Sequence, residues 1–286
     1  MNLNLDALES FSVFAETLNF THAAERLFIS QPALHVKIKK LAQELGVPLY
    51  TKVGRQLKLT KYGKEVARFA RETQINVDSF VQDLTGAESN QEVVLAAGRG
   101  SYLYLLGEQI SRFNKKSKSV LRLLTTDSRR TVDAINTGEA QLGVTVLQSK
   151  PEGIKTQLIA DVPAMLVVPK SHMHAGLSSI GVKNLRDQQL IVPPPDRPHR
   201  MMIAKLLELK KVPWSVAVEA EGWELAIEFA RLGMGAAIVN GCCRLPKSLS
   251  GVPIRDFPGT KYYLLSKRSI KLTKDQELLK KLILEN

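Results

Sequence analysis

The segment at residues 21–40 constrains this chain more than any other, because it predicts two short helices separated by a tight break. We expect Thr21 to cap the first helix and Ser30 to cap the second, since each hydroxyl can accept a backbone N–H of the first turn. Pro32 falls in the first turn of the second helix, where its missing N–H costs little. Gly46 fits a left-handed cap at the end of that helix.

The two sides of the second predicted helix differ in chemistry. Its apolar residues recur at steps of four, three and four, so one stripe collects Leu34, Ile38, Leu41 and Leu45. At about 100° per residue, the opposite side carries Pro32, His35, Val36, Lys39, Lys40 and Gln43. A helix with an apolar back and a basic, hydrogen-bonding front suits the major groove of DNA, where such side chains reach base edges and phosphates. The same pattern also fits an ordinary amphipathic helix with a solvated face.

A longer, ordered set of residues supports the first interpretation. In order they are Leu8, Phe11 and Phe14; Phe20-Thr21; Ala23-Ala24-Glu25-Arg26-Leu27; Ser30-Gln31-Pro32-Ala33-Leu34; Ile38 and Leu41; Glu44-Leu45-Gly46-Val47-Pro48-Leu49; and Leu59-Thr60 with Gly63. With these residues the segment resembles the N-terminal DNA-binding region of LysR-type transcriptional regulators. That family commonly has Ser-Arg-Gln where this chain has His35-Val36-Lys37. Val36 cannot make the DNA contact of the family's arginine, and we expect Lys37, on the flank of the helix, to replace it.

Residues 49–60 alternate loosely between apolar and polar types, with Gly54 at a turn. Lys52, Arg55 and Lys58 surround that turn, so we interpret the segment as a hairpin wing that contacts DNA phosphates. A solvated basic loop is the alternative. The predicted DNA-binding residues are Thr21, Ser30, Gln31, Pro32, His35, Val36, Lys37, Lys39, Lys40, Lys52 and Arg55.

A long helix is predicted after the wing, capped by Thr60 and without Gly or Pro between residues 64 and 85. One side of it collects Tyr62, Val66, Phe69, Thr73, Val77, Phe80 and Leu84. Such a stripe needs a partner, and a two-chain coiled coil supplies one. The alternative is packing on the chain's own domain. In the resembling family this segment is the dimerisation linker helix, and the small, polar residues 86–91 are interpreted as a hinge.

Beyond the hinge, apolar strands alternate with helices, which predicts parallel sheet with helices on its faces. We divide this part into lobe I, at 92–162 and 262–286, and lobe II, at 163–261, joined by two crossovers around a cleft. It resembles, more loosely, the effector domain of the same family, whose architecture is shared with periplasmic solute-binding proteins. Asn240 stands where proline is usual, and Gln141 where aspartate is usual.

The expected fold class is therefore multidomain α/β, in three parts. A winged helix-turn-helix occupies 1–60, a linker helix with its hinge occupies 61–91, and a two-lobed effector domain occupies 92–286. The resemblance implies double-stranded DNA, a small-molecule effector and RNA polymerase as partners, with self-association to a dimer or tetramer and no membrane.

The cleft offers a candidate ligand site. Ligands of open α/β sheets bind at the carboxyl ends of strands, where helix N-termini favour anions. The predicted effector-binding residues are Gly98, Arg99, Gly100, Ser101, Thr126, Ser128, Pro194, Arg197, His199, Glu221 and Trp223. The turns that line the cleft carry four basic side chains, those of Arg99, Arg197, His199 and Arg200. These side chains predict that the effector is a small anion. The alternative is that these residues only solubilise loops.

Charge is concentrated beside the predicted DNA-binding helix. The chain has a formal net charge of +12, which suggests contact with a polyanion. Residues 35–71 hold ten Lys/Arg against only Glu44 and Glu65. No apolar run approaches the roughly 20 residues that span a bilayer, and Asp6 and Glu9 interrupt any signal peptide. The sequence therefore predicts a cytoplasmic protein.

The chemistry of catalysis is not evident in this sequence. Gly98-Arg-Gly-Ser101 lacks the third glycine of a dinucleotide-binding turn, and there is no Gly-x-Ser-x-Gly nucleophile turn or metal-ligand cluster. No cofactor and no enzymatic activity are expected. The rival interpretation is an enzyme or a solute-binding protein with an accessory N-terminal module.

The two cysteines, Cys242 and Cys243, are adjacent. Neighbouring residues form a disulfide only in a strained ring, so we predict that these cysteines do not form a structural disulfide. Whether they sense oxidants depends on thiol pKa and exposure, which sequence does not give.

Overall fold

The computed structural model describes residues 3–54, 56–85 and 92–285. The N-terminal head consists of α1 (Leu5–Thr17), α2 (Phe20–Arg26), α3 (Gln31–Leu45), β1 (Tyr50–Val53) and β2 (Gln56–Leu59). The two strands pair antiparallel across Gly54, as expected for a wing. Leu34, Ile38 and Leu41 of the α3 stripe are buried in the head core with Phe11 and Phe14 of α1, and Leu45 packs against this core partly buried. The apolar spacing of α3 thus fixes which face remains free.

The helix ends in the head follow local capping chemistry, with one correction. The Ser30 hydroxyl accepts the Ala33 N–H at 3.3 Å, and Gly46 ends α3 with a φ of 67°. Thr21 does not cap α2, because the helix already begins at Phe20. Its cap is Asn19, whose side-chain oxygen accepts the backbone N–H groups of residues 21 and 22 at 2.9 and 3.3 Å.

In the turn between α2 and α3, an aromatic residue adopts an unfavourable left-handed backbone conformation. Phe28 has a φ of 55° and is 96 % exposed. The left-handed region costs a residue with a Cβ about 1–2 kcal/mol, and asparagine tolerates it better than most.

We therefore expect Phe28→Asn to raise the free energy of unfolding of the head by about 0.5–1 kcal/mol. Chemical denaturation followed by circular dichroism measures this. Phe28→Ala is the matched control, because it removes the ring and keeps the Cβ, and its stability should stay near the wild type. Equal gains from both substitutions would contradict the backbone explanation.

Helix α4 (Lys61–Thr85) follows the wing, and the Thr60 hydroxyl caps it by accepting the Gly63 N–H at 2.9 Å. Its inner side packs on the head through Ala67 and Ala70, which are buried. The predicted stripe lies mostly outside this contact, since Tyr62, Phe69, Val77, Phe80 and Leu84 are exposed. Packing on the chain's own domain therefore does not cover it. The predicted hinge at 86–91 lies outside the described residues.

The remaining part of the chain forms two sheets with helices on their faces. The strands of lobe I are β3 (Val93–Ala97), β4 (Leu121–Thr125), β5 (Leu142–Val146), β6 (Ile154–Val162) and β12 (Thr260–Lys267). Its helices are α5 (Arg99–Tyr104), α6 (Gly107–Lys116), α7 (Ser128–Thr137) and α10 (Lys274–Leu284). The strand order is β4-β3-β5-β12-β6, in which β12 runs antiparallel to both its neighbours.

Lobe II has the same design. Its strands are β7 (Ala164–Pro169), β8 (Gln188–Val192), β9 (Trp214–Glu219), β10 (Ala236–Asn240) and β11 (Leu249–Pro253), in the order β11-β7-β10-β8-β9. A 3₁₀ turn at Val182–Leu185 and the helices α8 (Pro198–Leu209) and α9 (Trp223–Arg231) cover it. Each sheet is mixed rather than parallel throughout, which corrects the expectation from the alternating pattern. In the described part of the chain, none of the helices combines the length and apolarity needed to cross a bilayer.

Helix α4 is joined to lobe I by nearly buried charges. Lys267, at the end of β12, forms an ion pair with Glu72 and donates to the Asn136 carbonyl at 2.6 Å. The side chains of Lys267 and Glu72 are only 11 % and 15 % exposed. Arg68 lies 2.9 Å from the same Glu72 oxygen. The linker helix is thus fixed to the sheet by a three-residue cluster of Arg68, Glu72 and Lys267, which we call the linker latch.

Candidate DNA interface and inter-lobe cleft

The free face of α3 carries most of the predicted DNA-binding residues. Gln31, Pro32, Lys39 and Lys40 are exposed, and Val36 is 67 % exposed. The His35 ring stacks on Phe20 with 3.6 Å between ring centroids, so its orientation is fixed by the head core. The Thr21 hydroxyl lies 3.5 Å from the Gln31 side-chain oxygen and brings α2 to the same surface. Ser30 begins this surface and serves α3 as its cap.

Lys37 is placed differently from the other predicted contacts. Its ammonium group lies 2.7 Å from the Asp6 carboxylate at the start of α1. This ion pair turns the side chain toward the head and away from the front of α3. The arrangement does not offer Lys37 as a free replacement for the family's arginine at Val36, and sequence spacing could not show the partner.

The wing continues the basic surface beside α3. Lys52 and Lys58 are exposed on neighbouring strands, where the backbone pairs Lys52 with Leu57 and Thr51 with Lys58. Arg55 lies outside the described residues. Cationic side chains on such a hairpin suit the phosphate backbone that flanks a major groove.

In the cleft, the lobe I turns after β3 and β4 lie side by side. The Thr126 N–H donates to the Ala97 carbonyl at 3.0 Å, and a Cβ on Gly98 would lie 3.7 Å from the Thr126 carbonyl oxygen. Ser101 is buried within α5, while Arg99 and Ser128 are exposed. The two turns therefore form one continuous rim with a cation at its edge.

Lobe II meets this rim through Trp223. A Cβ on Gly100 would lie 3.1 Å from the indole Cδ1 atom, so the ring sits directly on the glycine backbone. A side chain at this position would push the indole away by a few tenths of an ångström, so glycine favours the close approach. Tyr104 of α5 packs in the same lobe II cluster as Trp223. Burial, followed by the nearby Glu224 carboxylate, raises the pKa of Tyr104 to about 12. The cleft wall at this point is thus aromatic, with the Glu224 carboxylate beside Tyr104.

Two of the predicted cations of the cleft are not free positive charges. Burial lowers the pKa of His199, whose Nε2 lies 2.9 Å from the Ile238 carbonyl oxygen, so the ring is neutral near pH 7. The Arg197 guanidinium lies 2.6 Å from the Glu221 carboxylate. The expectation of four cations is therefore wrong for His199 and weakened for Arg197. Arg200 lies over the Trp214 ring at 4.4 Å, and Pro194 accepts the Arg197 N–H in a turn at 3.1 Å.

Comparison with known families decides the identity. The family described as "LysR substrate binding domain" matches residues 86–286, and the family described as "Bacterial regulatory helix-turn-helix protein, lysR family" matches residues 5–64. The chain belongs to the LysR family of transcriptional regulators. As such, it is a DNA-binding regulator with an effector-binding domain and not an enzyme.

Individual relatives of this LysR regulator are distant. The "RuBisCO operon transcriptional regulator" of Allochromatium vinosum is 24 % identical over 201 residues, which span 67 % of this chain and 64 % of that protein. The "Uncharacterized HTH-type transcriptional regulator YbhD" of Escherichia coli is 25 % identical over 260 residues, or 89 % of this chain and 82 % of the other. A full-length OxyR variant from Pseudomonas aeruginosa has a TM-score of 0.81 at 20 % identity, covering 99 % and 95 % of the two chains. That likeness establishes the fold, with its helix-turn-helix and two-lobed effector domain.

Two features of the LysR regulator were not predicted from its sequence. Asn240, noted only as a departure from proline, donates to the Tyr262 hydroxyl at 2.6 Å and accepts from Thr260 at 3.2 Å, so it joins β10 of lobe II to β12 of lobe I. A second cleft, distinct from the one between the lobes, has a volume of about 720 Å³ and lies between α1 of the head and lobe I. Charges on its lobe I wall pair with each other, as in Arg122–Glu92 at 3.0 Å. Neither feature has a local sequence signal.

Proposed function

We propose that this LysR regulator inserts α3 into the major groove and lays its wing along the adjoining phosphates. The observation that carries this proposal is the division of α3 into a buried apolar stripe and an exposed front with Gln31, Lys39 and Lys40. Amide and cationic groups on such a front match base edges and phosphates. The boundaries proposed from sequence, at 60/61 and 91/92, then separate head, linker and effector domain.

We further propose a homodimer, or a tetramer built from dimers, formed through the outer face of α4. The exposed large apolar residues there, such as Phe69, Phe80 and Leu84, need a partner. Two heads joined in this way would address two DNA half-sites related by the dimer axis.

The effector we propose is a small anion bound at the rim formed by residues 98–101 and 126–128. Arg99 is the exposed cation of that rim, and the α5 N-terminus, which has no side-chain cap, adds a favourable dipole, whereas the Asp127 carboxylate caps the α7 N-terminus. Because Arg197 is paired and His199 is neutral, the anionic group belongs on the lobe I side and the apolar part against Trp223. Ligand binding then favours one lobe arrangement and moves the DNA heads, by its differential affinity for the two states. The output passes to RNA polymerase in the cytoplasm, where the DNA lies.

Replacing Lys39 and Lys40 together by Ala should weaken binding to every duplex by about ten- to a hundredfold at roughly 0.15 M salt, because phosphate contacts carry no sequence information. The slope of log affinity against log salt should fall by about 1–2. Gel shifts with the upstream DNA of its own gene and with a random duplex, at two or more salt concentrations, measure both quantities.

Lys115→Ala with Lys116→Ala is the matched control, since it removes two adjacent lysines from α6 in the effector domain. That variant should bind like the wild type. Unchanged affinity of the Lys39/Lys40 variant would remove these residues from the contact surface, and a weakening confined to one sequence would contradict the phosphate assignment.

The effector proposal has its own test. In a calorimetric screen, carboxylates should bind and their neutral amides should not, and Arg99→Gln should weaken the carboxylates by about tenfold. A screen in which only neutral compounds bind, with no effect of the substitution, would exclude an anionic effector.

A further inference from the structure

The two cysteines lie in the lobe II loop between β10 and β11, beside the crossover from β6 to β7. They follow β10 directly, after Gly241, whose N–H donates to the Pro163 carbonyl at 2.7 Å. Pro163 is the single residue between β6 of lobe I and β7 of lobe II. A Cβ on Gly241 would lie 2.9 Å from that same carbonyl oxygen, so the two segments are in tight contact. The cysteine pair therefore directly follows a residue that is bonded to the crossover.

The two cysteine side chains pack in different cores. Cys242 is partly buried and packs against the lobe I cluster that contains Leu95 and Leu264. Cys243 is 6 % exposed and packs in the lobe II cluster with Trp223 and Tyr104. Two residues joined by one peptide bond thus pack in the cores of different lobes. A change in the distance between their sulfur atoms therefore changes the packing in both cores.

The pair is also chemically asymmetric. A hydrogen bond with the Cys243 thiol lowers the pKa of Cys242, and the same bond, together with burial, raises the pKa of Cys243. The thiolate therefore forms on the more accessible sulfur, with a protonated thiol beside it. A thiolate next to a resolving thiol is the arrangement that oxidant-sensitive sites use.

We propose that Cys242 and Cys243 form a reversible oxidation site for small hydroperoxides, coupled to the arrangement of the lobes. The Cys242 thiolate attacks the terminal peroxide oxygen, the O–O bond breaks, and the leaving alkoxide or hydroxide takes a proton, which leaves a sulfenic acid on Cys242. The Cys243 sulfur then attacks the Cys242 sulfur, loses its proton and releases the sulfenic oxygen as water. Overall, two thiols and one hydroperoxide give one disulfide, one alcohol or water, and one further water.

Closing the disulfide requires a local rearrangement. An S–S bond of about 2.05 Å between neighbouring residues makes a small ring that contains the connecting peptide bond. The Cys243 N–H now donates to the Asn240 carbonyl at 3.0 Å in a turn. Ring closure rotates this turn and draws at least one sulfur out of its core. Strained disulfides are readily reduced, so the site is reversible. An effect of oxidation on DNA binding rests on the proposed function, in which the lobes are coupled to the DNA-binding heads. The thiol chemistry itself does not depend on that coupling.

The test uses the reduced full-length protein without DNA, treated with a slight excess of hydrogen peroxide and then alkylated with iodoacetamide. Because the chain has only two cysteines, intact mass spectrometry gives an unambiguous count. We expect a chain lighter by about 2 Da that takes up no label, remains a monomer on a non-reducing gel, and recovers both thiols in dithiothreitol. In a Trp214→Phe background, the emission of Trp223 should change with oxidation and return on reduction.

Two variants separate the chemistry from folding. Cys243→Ala removes the hydrogen-bond donor, so alkylation of Cys242 near pH 7 should slow by roughly three- to tenfold, and no disulfide can form. Cys243→Ser restores a donor, so the alkylation rate should return toward that of the wild type. Full labelling of both thiols after peroxide would overturn the proposal. So would disulfides formed only between chains, or a Cys242 rate that the two variants leave unchanged. None of these measurements involves DNA, so their outcome is independent of whether the proposed DNA-binding function holds.

Discussion

Replacing Gly63 by alanine is expected to destabilise the DNA-binding head by about 3 kcal/mol or more. A Cβ at this position would lie 1.8 Å from the Leu49 carbonyl oxygen and 2.8 Å from its carbon. Both atoms belong to the backbone, and the oxygen also accepts the Thr60 N–H at 3.1 Å. The start of α4 would have to move away from the wing. Since Gly→Ala inside a helix ordinarily stabilises by about 0.5–1 kcal/mol, the expected sign is reversed.

Thermal unfolding followed by circular dichroism measures this change, and a gel shift reports whether the head still binds DNA. Gly107→Ala in α6 is the matched control, because its added Cβ would make an ordinary contact, 3.5 Å from the Tyr102 carbonyl oxygen. That variant should be neutral or slightly more stable. An unchanged or raised unfolding temperature for Gly63→Ala would show that the wing and α4 do not meet as described.

The linker latch gives the second large effect. Glu72→Gln leaves the Lys267 ammonium nearly buried with the Asn136 carbonyl and without its carboxylate, and should cost about 2–4 kcal/mol. Lys267→Met removes the charge but leaves Glu72 paired with Arg68, so its cost should be smaller, about 1–2 kcal/mol. The asymmetry follows from which partner keeps a counter-charge.

A double-mutant cycle tests the same pair. The variant with both substitutions should be less destabilised than the sum of the single variants, with a coupling of about 1–2 kcal/mol. Denaturant unfolding gives the free energies, and hydrogen exchange at α4 and β12 locates the weakened region. Additive single effects, or a greater cost for Lys267→Met than for Glu72→Gln, would contradict the described pairing.

Sequence alone was sufficient where the signal is local. The Ser30 cap, the Leu34 and Ile38 stripe and the Gly46 end of α3 depend on neighbouring residues, and the structure has all three. The short apolar runs at 93–97 and 142–146 predict two strands, and β3 and β5 have these bounds because each run is buried along nearly its whole length. The exposed stripe of α4 agrees with the prediction that it needs a partner.

The sequence predictions failed where an element is stabilised by residues distant in sequence, or where polar residues, Gly or Pro interrupt the apolar pattern of a strand. Strand β6 was not predicted, since it is largely half-exposed and contains Lys155 and Asp161. Strand β11 contains Gly251 and Pro253, residues that argue against a strand. The spacing of Leu103, Leu106, Ile110 and Phe113 predicts one helix, whereas the structure has two helices, α5 and α6. In the cleft, the charge state of His199 depends on burial, which no local pattern reveals.

The position of β12 between β5 and β6 has a consequence for biogenesis. As the ribosome extends the chain, β5 and β6 emerge early, and the strand that joins them arrives only after all of lobe II has been made. Until then β5 and β6 lack the strand that pairs with both of them, and their unpaired edges are templates for wrong pairing between molecules. Its completion is a slow, non-local event. We therefore expect chaperones to protect this half during synthesis, while the head can mature at once.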